Sequence, residues 1–97
     1  MIYHVTSESE WKASDNKTYA PEAFSREGFI HSCHASQLPG VLQRYFAGRT
    51  DLLLLHIEET ALTSPLKHEI ATANELYPHI YGAINKDAIV KVERLTN

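Results

Sequence analysis

Six histidines in a chain of 97 residues are its best equipment for chemistry near neutral pH, because imidazole exchanges a proton there. Their placement is specific. His4 falls inside the alternating stretch Ile2-Tyr3-His4-Val5-Thr6, and His31 sits between Phe29 and Cys33 on one face of a short strand. His56 ends an apolar run, His68 shares a face with Leu66 and Ile70, and His34 opens a helix. His79 lies in Tyr77-Pro78-His79-Ile80-Tyr81-Gly82. A histidine inside an apolar strand must be hydrogen-bonded or must open onto a polar cleft, since burying an unpaired polar group costs about 1–3 kcal/mol. Either each ring bonds a backbone carbonyl and stiffens the core, or several meet around one hollow. The shared cleft is the expectation carried forward.

Other reactive groups are fewer. Cys33 is the single cysteine, with His31 two residues away on the same face. A nucleophilic thiolate there needs a cation or a helix start to lower its pKa, and the inert buried thiol is the competing reading. His31, Cys33 and His34 lie close in sequence, but their spacing matches no strong zinc pattern, so no metal ligand is assigned. Glu69 lies on a strand face opposite Leu66 and Ile70, beside Lys67, and suits binding a sugar hydroxyl or stabilising positive charge. The Tyr77-Pro78 pair fixes the approach to His79 and brings aromatic rings that can stack. Neither a GxGxxG nor a GxxxxGK[ST] phosphate loop is present.

These side chains need elements to hold them. Alternation predicts a strand over Ile2–Thr6, followed by a short helix capped by Ser7 with Glu10 three residues on. Asp15-Asn16-Lys17 reads as a turn and Pro21–Arg26 as one helical turn ended by Gly28. Phe29–Ser32 reads as a short strand. Ser36 is the expected cap of a second helix, whose Leu38, Val41, Leu42, Tyr45 and Phe46 make one apolar face. Asp51–Glu58 is apolar throughout and reads as a strand buried on both faces. Leu66–Ala71 and Ile89–Leu95 read as further strands, and Glu75–Gly82 as irregular. The expectation is an α+β fold: one small mixed sheet of about five to six strands with two helices.

Composition limits the rest. Residues 1–97 fit a single domain. Hydrophobic residues are 43% and charged residues 22%, ordinary for a folded chain. A net charge of -3 gives no basic footprint for nucleic acid. No apolar run approaches the roughly 20 residues of a membrane span, and the N-terminus lacks a leader pattern. With one cysteine, this points to a cytoplasmic protein that partners neither nucleic acid nor membrane.

Ile2-Tyr3-His4-Val5-Thr6, Trp11, Glu27-Gly28-Phe29-Ile30-His31, Gln37, the Leu52–Ile57 strand and Glu75-Leu76-Tyr77-Pro78-His79-Ile80-Tyr81-Gly82 together resemble the family catalogued as domain of unknown function 952. Two positions depart from it: Ser32 precedes Cys33 where the family has the reverse order, and His68 precedes Glu69 where it has Trp. The resemblance implies a fold like that of the ADP-ribosyltransferases, a split sheet cradling NAD. Tyr3-His4-Val5-Thr6 also looks like the Tyr-His-Gly-Thr opening of the RNA 2′-phosphotransferases, and His31-Ser32 like their His-Leu-Ser segment, with Val5 in place of the glycine. By that likeness His4 contacts the adenosine side of NAD, and Glu69 stands near the catalytic glutamate.

The function expected is a His-rich cleft that binds NAD, ADP-ribose or a related phosphorylated metabolite, in a transferase-like enzyme or a binder. His31, Glu69 and His79 are the expected catalytic groups, and His4, Thr6, Ser32 and Tyr81 the substrate-binding ones. NAD enters as a ligand, and no resident cofactor is required. The alternatives are a non-catalytic interaction module with a structural histidine network, and a metal-assisted hydrolase using His31, His79 and Glu69.

Overall fold

The computed structural model describes residues 1–96. The chain opens with β1 (Ile2–Ser7), then α1 (Glu8–Ala13), whose cap is Ser7: its Oγ accepts the Glu10 amide at 3.2 Å. A two-residue strand, β2 (Thr18–Tyr19), leads to α2 (Phe24–Glu27), which Gly28 ends in the left-handed conformation at φ +82°. Only glycine enters that conformation at no steric cost. β3 (Ile30–His31) precedes a 3-10 turn and α3 (Leu38–Tyr45). β4 (Leu52–Ile57), β5 (Leu66–Ile70), β6 (Leu76–Ile80), β7 (Ile84–Asn85) and β8 (Ile89–Arg94) complete the order.

Among the described residues these strands form three sheets rather than one: β1-β4-β8, β3-β6-β5 and the pair β2-β7. Every pairing is antiparallel, so the expected single mixed sheet is corrected. A small mixed α/β fold remains. The two larger sheets are joined by one isolated bridge, in which Tyr3 and Cys33 exchange both backbone hydrogen bonds at 2.8 Å.

The stretch expected to be irregular, Glu75–Gly82, contains the central strand of the second sheet. Pro78 sits in that strand without an N–H to give. Its carbonyl accepts both the amide and the hydroxyl of Ser32, at 3.2 and 2.6 Å. β3 ends one residue before Ser32, so the missing donor falls where the β3–β6 ladder stops. Past that point the chain turns to pair Cys33 with Tyr3.

The helix cap differs as well. His34 rather than Ser36 starts the 3-10 turn Ala35–Gln37, and its amide donates to Gln37 Oε1 at 2.9 Å. α3 follows with Pro39 in its first turn, where no amide partner is required.

β4 is buried on both faces, as its composition predicts. Leu55 and Ile57 join Ile2, Tyr19, Ile30, Ile80 and Ile84 in the main core, while Leu52 and Leu54 join Val5 on the other face under Leu38, Leu42 and Phe46. Burying each such aliphatic chain stabilises the fold by about 1.5–3 kcal/mol. β1 therefore turns Ile2, His4 and Thr6 toward one side and Val5 toward the other. Two buried polar side chains, His4 and Thr6, thus share the face that carries the core.

Candidate functional site

His31 and His79 lie directly opposite one another in the β3–β6 pairing. Their rings meet edge to face with centroids 5.5 Å apart. Phe29 stacks on the His79 ring at 4.2 Å and meets His31 at 4.8 Å, so one aromatic side chain orients both. The two histidines differ in surroundings. His31 is exposed, its Nε2 lying 3.2 Å from Glu27 Oε2, whereas His79 is only 5% exposed.

His79 Nδ1 lies 2.8 Å from Glu69 Oε1. The same oxygen accepts the Tyr81 hydroxyl at 2.5 Å. The Tyr81 hydroxyl, followed by His79, holds the Glu69 carboxyl below the usual carboxylate range, and the same contact pushes the Tyr81 phenol up. Glu69 is therefore an ionised acceptor, and Nδ1 carries the proton that it accepts. In a neutral ring this leaves Nε2 as a bare acceptor. Nε2 is buried and has no hydrogen-bond partner in the protein. An orphaned group of this kind costs about 1–3 kcal/mol, so Nε2 calls for a partner from outside the protein chain, a water or a ligand group.

His4 is arranged otherwise. Its Nδ1 donates to the His31 carbonyl at 2.5 Å, a second tie between β1 and β3 beside the Tyr3–Cys33 bridge. Its Nε2 lies 3.0 Å from the Tyr19 hydroxyl, which lies 2.6 Å from Thr6 Oγ1. The one Tyr19 proton faces two acceptors. When it goes to Nε2, the Thr6 hydroxyl donates to the tyrosine oxygen instead, so each group in the chain is satisfied. Burial lowers the His4 pKa to about 4, keeping the ring neutral, and pushes the Tyr19 phenol well up.

A cavity of about 500 Å3 opens among residues of β1, β3 and β6, within the usual range for small-molecule sites. Its lining includes His4, Thr6, His31, Ser32 and His79, with Phe29, Tyr19 and Tyr77 as aromatic walls. The charged side chains on the lining are Glu10, Glu27 and Arg49. Arg49 is held by Asp51 through two bonds, at 2.9 and 2.8 Å. Cys33 also lines the cavity, but burial pushes its thiol up to about 11, away from the thiolate that a nucleophile needs.

Of the seven residues singled out from the sequence, five line this cavity: His4, Thr6, His31, Ser32 and His79. Glu69 and Tyr81 are not part of the lining and stand behind His79, one bonded to the next. The other three histidines lie elsewhere. His34 and His68 pair through their Nε2 atoms at 3.1 Å, and His56 Nε2 bonds Glu93 at 2.8 Å. Among the described residues, no group of three or more His, Cys, Asp or Glu side chains is arranged to hold a metal ion.

Sequence reasoning missed Tyr19, Phe29 and Arg49. Phe29 was legible as the neighbour of His31 two residues away on the same strand face. Tyr19 carries no local signal, because a two-residue strand shows no alternation.

The family model described as a protein of unknown function, DUF952, matches residues 5–92. The chain belongs to this family. His31, Glu69, His79 and Tyr81 all fall inside the matched span of the DUF952 model, and His4 stands one residue before it. The chain is similar to protein CC0527 from Caulobacter crescentus. Its crystal structure superposes with a TM-score of 0.89 at 26% identity, covering 98% of this chain and 85% of that one. A double mutant of CC0527 gives 0.88 at 25% identity, with the same coverage. The solution NMR structure of CC0527 gives 0.81 at 26%, over 97% of this chain and 83% of that one. No curated protein matches the chain. No helix among the described residues of this DUF952 protein is long and apolar enough to cross a membrane.

Proposed function

We propose that the cavity between the two larger sheets binds a nucleotide-like small molecule, with NAD, ADP-ribose and AMP as the candidate ligands. The observation that carries this reading is the orphaned Nε2 of His79, on a side chain that lines a cavity large enough for such a ligand. The aromatic walls suit a base, and the polar groups around His79 suit a ribose. Glu10 and Glu27 on the lining disfavour an anion beside them, and Arg49, already bonded by Asp51, adds no free cation for one among the described residues. The sugar and base are therefore the parts that the cavity suits, with the phosphates left toward solvent. The parting of the sheets at the single Tyr3–Cys33 bridge supports an ADP-ribosyltransferase-like reading of the frame. In that reading His79 and His31 serve as the acid and base groups, and Ser32 helps to position the ligand.

Saturation-transfer NMR with NAD, ADP-ribose and AMP at millimolar concentration tests this. Transfer from the protein to at least one of them is the expected result. No transfer to any of the three overturns the nucleotide reading.

A second reading, the non-catalytic module whose histidines tie the sheets together, draws on His4, both of whose ring nitrogens are engaged inside the protein. The two readings separate at His79, since a purely structural ring leaves no buried nitrogen unbonded.

A further inference from the structure

His79 belongs to the central strand of its sheet, paired on both sides, so its backbone is fixed. Phe29 stacked at 4.2 Å and His31 set edge-on at 5.5 Å restrict the ring itself. Nδ1 is committed to Glu69, and Glu69 is committed to Tyr81. The two nitrogens lie on opposite edges of the imidazole, so a ring anchored through Nδ1 turns Nε2 away from the carboxylate. On these observations we propose that Tyr81 and Glu69 act as positioning residues holding His79 in its Nδ1–H tautomer, so that Nε2 is the proton acceptor of the cavity and selects a neutral hydroxyl of the ligand rather than an anionic oxygen. This rests on the ligand-binding reading above and names the chemical group that reading requires at one point.

The selection follows from charge and lone pairs. A bare nitrogen lone pair attracts an O–H or N–H and repels a phosphate or carboxylate oxygen. Among the described residues no free Lys or Arg on the lining offsets that repulsion, because Arg49 is already paired with Asp51. Lys67 lies over the Tyr81 ring at 5.0 Å, behind the dyad, and is not part of the lining. An anion placed against Nε2 lacks a countercharge, whereas a ribose hydroxyl needs none. The ligand group at His79 is thus a neutral donor and, with the base against the aromatic walls, a sugar hydroxyl, which donates its proton into a hydrogen bond there.

Long-range proton–nitrogen correlation of the imidazoles in 15N-labelled protein at neutral pH reads the tautomer without any ligand. The Nδ1–H form of His79 is expected in the wild type and in Glu69→Gln, whose amide oxygen still accepts. Glu69→Ala is expected to lose the preference and to weaken adenosine binding about tenfold. Adenosine and inorganic phosphate serve as probes, with the Nε2 resonance of His79 as the reporter. A shift with adenosine and none with phosphate supports the proposal. An Nε2–H tautomer in the wild type overturns it whatever the probes do. A shift with phosphate instead of adenosine overturns the hydroxyl assignment while the cavity remains a ligand site. Silence of both probes with the Nδ1–H tautomer in place removes the ligand reading, and this inference with it.

Discussion

Glu69 and His79 meet diagonally across the β5–β6 ladder: Glu69 pairs in register with Tyr77, yet its Oε1 reaches His79 Nδ1, two residues further on, at 2.8 Å. Diagonal neighbours on one sheet face lie within reach of long side chains. This contact makes an exposed carboxylate the orienting group of a buried imidazole, and Tyr81 in turn bonds the carboxylate.

Replacing Tyr81 by Phe isolates the last link. The Glu69 carboxyl loses the larger of the two contacts that hold it low, so its pKa rises toward the ordinary carboxylate value. The bond is part-buried and lies outside the core, so the fold is expected to persist in the variant. A carboxyl-detected NMR titration of Glu69 checks the shift. An unchanged midpoint contradicts the assigned link.

His4 gives the protein an acid-sensitive term. Its pKa is 6.5 in the unfolded chain and about 4 when folded, lowered by burial. Above pH 6.5 both states are neutral and the contribution is fully present. Below it the unfolded state takes up a proton that the folded state refuses, so stability falls as pH drops toward about 4. The loss is on the order of 3 kcal/mol across that window. Denaturant unfolding at several pH values measures it, and His4→Gln should flatten the slope. A wild type equally stable at pH 7 and pH 4.5 contradicts the buried neutral ring.

Tyr19→Phe removes the hydroxyl between His4 and Thr6 and leaves both buried groups short of a partner. The expected cost is about 1–3 kcal/mol in denaturant unfolding. A neutral result contradicts the chain of bonds described for β1.

Cys33 should react slowly. With its pKa raised from 9.0 to about 11, the thiolate fraction at pH 8 is roughly a hundredfold below that of the unfolded chain. Iodoacetamide labelling of the native and the denatured protein compares them directly. Equal rates contradict the burial.

The parts of this fold with long, one-sided patterns were legible in the sequence. β1 alternates, β4 is a continuous apolar run, and α3 repeats its apolar residues at helical spacing. β6 was hidden by Pro78, because a proline argues against a central strand. It is tolerated here because the ladder to β3 ends at that residue. β2 and β7, two residues each, are too short to carry a period. At the site, the sequence named His79 and Glu69 separately, and the chemistry of each residue type was readable. Their contact depends on β5 pairing with β6, which no local pattern encodes. The same holds for His4, which lines the cavity and also ties β1 to the His31 carbonyl and to Tyr19, a residue without any distinguishing signal.

A crystal structure of the protein soaked with ADP-ribose tests the central claim most directly. The account predicts the ligand in the cavity lined by β1, β3 and β6, with a ribose hydroxyl oxygen within about 3 Å of His79 Nε2. Density for the ligand elsewhere, or in the cavity with a phosphate oxygen against Nε2, would contradict it.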